Sequence, residues 1–368
     1  MPNQITLLHV DVPMAEPFRI SSGMVSSKEA ILVLIERNGV TGIGEASPMS
    51  GDFYSSETPG SSWEFLEQYA LPEMIRDKRM RPAFVSDHFA RHPGRTFGWA
   101  GIEGAIWDLM VQEEKAGFTE LLELEPRPIE SGLTLGIQPS IEELLDSCRR
   151  LHLHGQRRVK IKIEPGWDLE PLRAVRGVLD EEVALMADAN ASYGDEHLEV
   201  FDDLDKLGLL MIEQPLAADN FDGHRKLQKR IQTPICFDES AVELQRLESA
   251  IMVDACRIVN VKIQRVGGIM AARRMIERCA ALEIPTWMGT MPELGIGALH
   301  ALYLGLHPNN EFPSDVCQSE RWYVEDLIDP PLTVTEGMIG IPEPHRRRPQ
   351  VNMDAVDRFA RRAKSIPF

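Results

Sequence analysis

The sequence predicts an α/β protein, with a small N-terminal α+β domain followed by a closed β/α barrel of seven or eight strands. After residues 126–128, short apolar runs alternate with amphipathic stretches, which is typical of repeated βα units around a parallel sheet. These runs begin about 25 residues apart, the length of one strand, one helix and two loops. The 368 residues suffice for one barrel of about 250 residues and one smaller domain.

The N-terminal domain is predicted to span residues 1–125. Runs rich in Val, Ile and Leu, with a turn at Asn38-Gly39, indicate an antiparallel sheet. Its strands are expected at residues 5–12, 30–36 and 41–45. Apolar residues at helical spacing indicate two helices, at 61–75 and 101–114.

The barrel is predicted to span residues 126–320. Its strands are expected at 133–137, 159–163, 184–187, 209–212, 234–237, 257–261 and 284–288, with a poorly marked eighth near 312–316. The tail, 321–368, is too irregular for another βα unit, and we expect it to pack back on the first domain.

Composition argues against several classes of protein. A net charge of −18 disfavours nucleic-acid and membrane-surface partners, and no apolar run reaches the roughly 18 residues of a membrane span. The N-terminus lacks the basic and apolar segments of an export signal. The five cysteines show no C-x-x-C spacing, so we expect neither disulfides nor a thiolate zinc site. We therefore also expect a cytoplasmic location.

Polar side chains end five successive predicted strands, the edge at which barrel enzymes carry their catalytic groups. Lysines and carboxylates recur there every 24 to 26 residues, at Lys162, Asp188, Glu213, Asp238 and Lys262. Three carboxylates at one mouth cannot all stay ionised without a cation, and hard oxygen ligands suit Mg²⁺ or Mn²⁺ rather than zinc. Any one of these acids alone would be better explained as a helix N-cap. The constant period and the flanking lysines favour the metal site.

The lysines complete the predicted chemistry. Partial burial and a nearby divalent cation both lower a lysine pKa from about 10.4, which makes a neutral amine available as a base. Lys160, two residues before Lys162 on the same face of the strand, adds a further positive charge. A metal can bind a substrate carboxylate and stabilise the enediolate formed when its α-proton leaves. The sequence therefore predicts an enzyme that abstracts a proton next to the carboxylate of a small molecule. Gly289 and Gly295, after the seventh strand, are expected to let the backbone approach that substrate.

Together these motifs resemble the enolase superfamily in its muconate-lactonizing-enzyme subgroup. The resemblance rests on Lys160-x-Lys162, Asp188-x-Asn190, Glu213-Gln214-Pro215, Asp238-Glu239-Ser240 and Val261-Lys262. It covers the whole chain and implies a modified (β/α)7β, TIM-like barrel with an N-terminal α+β capping domain to which the C-terminal segment returns. It also implies that Asp188, Glu213 and Asp238 hold Mg²⁺, with Mn²⁺ as a substitute, and that Lys162 is the base. Lys262 would lie on the opposite face of the substrate, with Glu239 positioning it and Asn190 beside the metal.

Four further segments resemble the o-succinylbenzoate synthases and N-succinylamino acid racemases of that subgroup. They are residues 160–168, 17–23 with Arg19, 54–58, and 134–137 with Thr134. The loop after strand seven departs from the common Gly-Gly-Met-x-Glu-Thr-Gly. It reads Gly289-Thr290-Met291-Pro292-Glu293-Leu294-Gly295, and in relatives it touches the succinyl part of the substrate. The absence of His at the end of strand seven argues against the mandelate-racemase subgroup.

The resemblance implies a lyase of menaquinone synthesis, which dehydrates 2-succinyl-6-hydroxy-2,4-cyclohexadiene-1-carboxylate to o-succinylbenzoate. N-succinylamino acid racemase is the main alternative, followed by dipeptide epimerase or cycloisomerase on the same site. A non-catalytic metal-binding relative would have lost a lysine or a ligand, and none is missing. We also expect a homo-oligomer, which is common for barrels of this kind.

Overall fold

The computed structural model describes residues 3–77, 80–89, 92, 94–151, 155–341 and 350–368. An antiparallel sheet opens the chain and confirms the predicted one, with longer strands than the apolar runs indicate. It comprises β1 (Gln4–Ile20), β2 (Gly23–Arg37) and β3 (Val40–Ala46). β1 and β2 extend beyond the sheet core as a hairpin that reaches the barrel, where the Ile137 amide donates to the Arg19 carbonyl at 2.9 Å.

Helices cover one face of this sheet. They are α1 (Pro59–Phe65), which continues through a π-helical turn (Leu66–Ala70) into α2 (Leu71–Asp77), then α3 (Pro82–Phe89), α4 (Thr96–Glu114) and α5 (Phe118–Leu121). α4 packs directly on β3 and leaves no room for a side chain at Gly44. A Cβ at that position would come within 2.1 Å of the Gly101 carbonyl oxygen. The glycine thus permits the close approach of helix and strand.

The barrel follows as strands that alternate with helices. Its elements are β4 (Ile129–Glu130), β5 (Gly132–Leu135), α6 (Ile141–Arg150), β6 (Arg158–Lys162), α7 (Leu169–Arg176), β7 (Ala184–Asp188), α8 (Val200–Leu204), β8 (Ile212–Glu213), α9 (Phe221–Arg230), β9 (Ile235–Phe237), α10 (Leu244–Ile251), β10 (Ile258–Val261), α11 (Ile263–Val266), α12 (Ile269–Ala281), β11 (Thr286–Met288) and α13 (Gly295–Leu304). Strands β5 to β11 form one parallel sheet in chain order, so the predicted α/β barrel architecture is confirmed.

The poorly marked eighth strand closes the ring. The segment 310–315 bonds to β11 on one side and to the β4–β5 region on the other. The Asp315 amide donates to the Met288 carbonyl at 2.9 Å, and the Gly132 amide donates to the Ser314 carbonyl at 2.7 Å. These contacts form isolated parallel bridges rather than a long ladder, because Pro313 interrupts the segment and cannot donate.

The chain then returns to the N-terminal sheet. The remaining elements are β12 (Ile328–Asp329), β13 (Met338–Ile339), β14 (Gln350–Val351), α14 (Met353–Phe359) and β15 (Ala360–Pro367). β15 pairs antiparallel with β1, with Gln4 opposite Pro367. All five cysteines are buried free thiols. Within the described ranges, no helix has the length and apolar character needed to cross a bilayer.

Candidate active site

A cleft of about 410 Å³ lies at the carboxyl ends of the barrel strands, where the N-terminal domain covers the mouth. Its walls come from both domains. The barrel side carries Thr134, Lys160, Lys162, Asn190, Lys262, Thr290, Met291, Pro292, Asp315 and Trp322, and the N-terminal domain contributes Phe18, Ile20, Met49 and Tyr54. The cleft is therefore polar and cationic toward the strands and largely apolar toward the N-terminal domain.

Three carboxylates lie at adjacent strand ends beneath this cleft. Asp188 ends β7 and is the register partner of both Lys162 on β6 and Glu213 on β8. Asp238 follows β9 directly. All three carboxylate side chains are fully buried. The 25-residue spacing of the acids thus places them at neighbouring strand ends, because each βα unit adds one strand to the parallel sheet.

The donor set fits a hard divalent cation. Burial and the charge of Asp188 raise the pKa of Glu213 to about 8, so the three acids do not tolerate full ionisation by themselves. Oxygen ligands from three strands are what Mg²⁺ takes in proteins. Yet among the residues that the structure describes, no three Asp, Glu, His or Cys side chains form a ready-made cage. Each acid is turned toward a nitrogen partner instead. Asp188 contacts Lys162, Glu213 accepts from Asn260 at 2.7 Å, and Asp238 contacts Lys262.

The two lysines face each other across the mouth. β6 and β10 are four positions apart in a ring of eight, so Lys162 and Lys262 lie on opposite sides of the cleft. Lys162 Nζ lies 2.5 Å from Asp188 Oδ2 and 2.8 Å from Asn190 Oδ1. Lys262 Nζ lies 2.9 Å from Asp238 Oδ2 and 3.5 Å from Tyr54 Oη.

The electrostatics of Lys262 differ from the sequence expectation. Burial favours its neutral form, but Asp238 and Tyr54 outweigh burial and raise the pKa of Lys262 well above its ordinary value. The sequence expectation rested on a divalent cation beside the lysine, whereas the charge that Lys262 contacts in this structure is the Asp238 carboxylate.

Four other predicted residues lie near the carboxylates or line the cleft, and one of them, Glu239, has a different partner from the one expected. Asn190 bonds to Lys162, and its Nδ2 also donates to Glu239 Oε1 at 3.0 Å. Glu239 was expected to position Lys262, but its hydrogen bond goes to Asn190, on the side of the opposite lysine. Thr134 lines the cleft, and Lys160 lies at its floor, where Asp315 and Glu213 offset burial and raise its pKa above the ordinary value.

Predicted residues in the loops are more dispersed. Thr290 lines the cleft, whereas Glu293 is buried behind it and accepts from the Met291 amide at 3.0 Å. Arg19 points away, since its side chain is 44% exposed and pairs with Glu164 at 2.8 Å.

The two glycines of the strand-seven loop were expected to let the backbone approach the substrate, but protein side chains occupy the space beside both. A Cβ at Gly289 would lie 2.1 Å from Asn260 Oδ1. A Cβ at Gly295 would lie 2.4 Å from the Ile328 side chain. These glycines therefore serve internal packing between the loop and its neighbours.

Sequence reasoning missed two polar contributors. Asp315 contacts Lys160 at 2.6 Å from the closing segment, and extending the strand period by two more units beyond Lys262 leads to it. Arg265 bonds to both Asp238 and Tyr54. Arg265 lies one helical turn after Lys262, but no feature of the local sequence distinguishes it from a surface arginine. Its partner Tyr54 belongs to the other domain.

This barrel, its mouth of lysines and carboxylates and the covering N-terminal domain define an enzyme of the enolase superfamily. Residues 3–123 match the mandelate racemase/muconate lactonizing enzyme N-terminal domain, and residues 143–345 match the enolase C-terminal domain-like family. The chain belongs to this family of enzymes.

Within the family, two kinds of relative are similar in sequence to this chain. It is 37% identical to o-succinylbenzoate synthase of Geobacillus stearothermophilus, over 98% of this chain and 96% of that protein. It is 36% identical to N-succinylamino acid racemase of Amycolatopsis, over 92% of each. Among solved structures, an enolase superfamily member from Listeria innocua superposes with a TM-score of 0.92 at 30% identity, covering 100% of this chain and 99% of that one.

Proposed function

We propose that this enzyme is an o-succinylbenzoate synthase, which dehydrates 2-succinyl-6-hydroxy-2,4-cyclohexadiene-1-carboxylate through loss of the proton α to its carboxylate. The observation that carries the proposal is the pair of lysines, Lys162 and Lys262, on opposite sides of one cleft above three buried carboxylates. The similarity to o-succinylbenzoate synthases over nearly the whole chain supports it.

In this proposal Asp188, Glu213 and Asp238 hold Mg²⁺ or Mn²⁺. When bound, the ion supplies Lewis-acid stabilisation of a substrate carboxylate. The lysine contacts of Asp188 and Asp238 are charge-assisted and buried, and they keep both acids ionised. Burial is the opposing effect, but Lys162 and Lys160 hold the pKa of Asp188 well below its usual range.

Lys162 takes the α-proton at Nζ once its ammonium, which pairs with Asp188 in this structure, has released a proton. Asp188 and Asn190 fix the amine within hydrogen-bond distance of their oxygens, so the nitrogen has one defined position at the edge of the cleft. Lys262 stays protonated and places its charge opposite Lys162, where it stabilises the negative charge that develops on the substrate. The β-hydroxyl then leaves as water with the proton that Lys162 Nζ has taken, and the ring becomes aromatic. A base on one face is sufficient for this reaction.

The apolar residues of the N-terminal domain exclude water from the cleft. Phe18 and Trp322 pack edge to face, with ring centroids 4.9 Å apart, and join the two domains over the mouth. We place the substrate ring against this wall, with its carboxylate toward the strand ends.

N-succinylamino acid racemase is the second candidate, because both lysines of the cleft are present and a racemase needs a base on each face. The Amycolatopsis relative supports it. One experiment tests both: purified enzyme is given each substrate with Mg²⁺, and kcat/KM is measured for o-succinylbenzoate formation and for racemisation of N-succinylamino acids. A kcat/KM for dehydration below that for every N-succinylamino acid tried would contradict the proposal and favour the racemase.

A further inference from the structure

Three cationic side chains stack inside the barrel along β6. Arg158, Lys160 and Lys162 alternate along the strand, so all three point to its inner face. Lys162 lies at the mouth. The other two are almost completely buried, with exposed fractions of 1% for Arg158 and 2% for Lys160. The proposed chemistry gives the proton transfer to Lys162, leaves Arg158 without a role and uses Lys160 only for its charge beside Asp188.

One carboxylate holds both deeper cations. Asp315 Oδ2 lies 2.6 Å from Lys160 Nζ, and Asp315 Oδ1 lies 2.7 Å from Arg158 Nη2. Thr134 Oγ1 donates to the same Oδ1 at 3.3 Å. Burial opposes the charge of Asp315, but Lys160 and Arg158 hold its pKa well below the usual range. These contacts stabilise the ionised form of Asp315 within the barrel.

The surroundings keep this group in one arrangement. Lys160 Nζ and the Arg158 guanidinium lie over the face of Trp287, at 5.0 and 5.1 Å from its centroid. The Arg158 guanidinium occupies space that a side chain at Gly132 would need, since a Cβ at Gly132 would lie 2.4 Å from the guanidinium carbon. Neither cation can move far without losing a buried contact.

Lys160 also reaches two of the proposed metal ligands, at longer distances. Its Nζ lies 3.2 Å from Glu213 Oε2 and 3.4 Å from Asp188 Oδ2, against 2.6 Å from Asp315. An ammonium that moved fully onto Glu213 or Asp188 would compete with a divalent cation for the same oxygens. The shorter contact draws Lys160 to the Asp315 side.

We infer that Asp315 is a positioning residue that acts through Lys160 and keeps Glu213 and Asp188 available to the metal. This inference rests on the metal site of the proposed function. Arg158 supports it as the second cation that keeps Asp315 fixed and charged. Asp315 thus affects metal affinity from outside the set of metal ligands.

The test is Mg²⁺ binding to the Asp315→Asn variant, measured by isothermal titration calorimetry without substrate. Without the anion, Lys160 should move onto Glu213 and Asp188, and the Kd for Mg²⁺ should rise about ten- to a hundred-fold. In a Lys160→Met background the same substitution should change Kd far less, because the competing ammonium is gone. Asp326→Asn is the matched control. This buried acid binds the Gly295 and Leu327 amides and touches neither cation, so its Kd should stay that of wild type.

The outcomes separate this inference from the proposed function. An unchanged Kd in Asp315→Asn, or an equal rise with and without Lys160, would overturn the positioning role while wild-type Mg²⁺ binding still supports the metal site. Wild-type enzyme that binds no Mg²⁺ would overturn both. If Asp315→Asn does not fold, Thr134→Val replaces it. That variant removes only the hydroxyl bond to Asp315, so the Kd for Mg²⁺ should rise less than in Asp315→Asn. The rise should again require Lys160. An unchanged Kd in Thr134→Val would overturn the inference.

Discussion

Glu45 of the N-terminal domain accepts a hydrogen bond from the backbone amide of Gly297 in α13, at 2.8 Å between Oε2 and N. Its other oxygen accepts from the Leu294 amide at 2.9 Å. A side chain of one domain therefore caps the helix that follows the seventh strand of the other. Lys28 lies beside this cap and donates to the Met291 carbonyl at 3.1 Å. The loop that lines the cleft is thus held from the N-terminal domain.

Replacing Glu45 by Gln should lower the free energy of unfolding by about 2 kcal/mol. The amide keeps at most one of the two helix-capping bonds and removes one of the carboxylate charges near Lys28. Urea denaturation of both proteins measures the difference. Glu64→Gln, at an exposed position of α1, should stay within about 0.5 kcal/mol of wild type. An equal effect of the two substitutions would show that the cap contributes nothing.

Activity should depend on a divalent metal held by Asp188, Glu213 and Asp238. After exhaustive chelation we expect turnover to fall to background and to return on addition of Mg²⁺, because the ion balances three buried carboxylates. An Asp188→Asn variant should remain folded by circular dichroism and bind Mg²⁺ more weakly. Full turnover by the metal-free enzyme would refute the metal requirement.

Much of this site could be predicted from the sequence, because a regular βα repeat converts spacing into position. Lys162, Asp188 and Glu213 are register partners on neighbouring strands, as their spacing requires. Contacts between side chains do not follow from spacing. Glu239 comes directly after Asp238, yet its bond goes to Asn190 on another strand.

The contacts that the sequence did not predict come from parts of the chain that meet only in three dimensions. Tyr54 approaches Lys262 and Arg265 from another domain, and no periodicity links a domain loop to a barrel strand. Asp315 lies in the poorly marked eighth strand, whose isolated bridges correspond to only a weak strand pattern in the sequence. The pKa of Lys262 depends on its distance to Asp238, which only coordinates provide.

Substrate discrimination should reside in loops over the cleft rather than at the strand ends. The segments 19–23, 51–58 and 290–294 are the predicted determinants, and Tyr54 and Thr290 of these segments line the cleft. Exchanging the three segments for those of a relative with different specificity should change the ratio of kcat/KM values for dehydration and racemisation. Mg²⁺ affinity should stay constant, since the carboxylates are untouched. Loss of stability with an unchanged ratio would contradict the assignment.

His224 should make the folded enzyme sensitive to acid. Its ring is buried, with Nε2 accepting from the Leu216 amide at 3.3 Å and Nδ1 donating to the Asn220 carbonyl at 2.8 Å, so it is neutral. Burial lowers the pKa of His224 to about 4, against about 6.5 in an unfolded chain. Between these values the unfolded chain binds a proton that the folded one does not. Stability should therefore fall as the pH drops from about 6.5 to about 4, by about 3 kcal/mol in all.

Urea denaturation at a series of pH values measures this dependence. A His224→Gln variant should lose most of the slope in that window, whereas His197→Gln, at a partly exposed position, should retain it. Identical slopes in wild type and His224→Gln would assign the acid sensitivity to other groups.

The two lysines should differ in role according to the reaction. Dehydration needs one base, so Lys162 takes the proton and Lys262 contributes its positive charge. Racemisation needs a base on each face, so each lysine serves one enantiomer. Lys162→Ala should reduce dehydration by about 10³-fold and abolish racemisation.

The variant that separates these roles is Lys262→Arg, because a guanidinium keeps the charge beside Asp238 but does not lose its proton near neutral pH. We expect measurable residual dehydration and, in D₂O, loss of α-proton exchange for one enantiomer of each N-succinylamino acid. Proton NMR measures the exchange. The matched control is Lys262→Met, which lacks the positive charge and should lose dehydration as well. Unchanged exchange of both enantiomers in Lys262→Arg would show that Lys262 is not a base. Equal dehydration by the Arg and Met variants would show that its charge does not stabilise the developing anion.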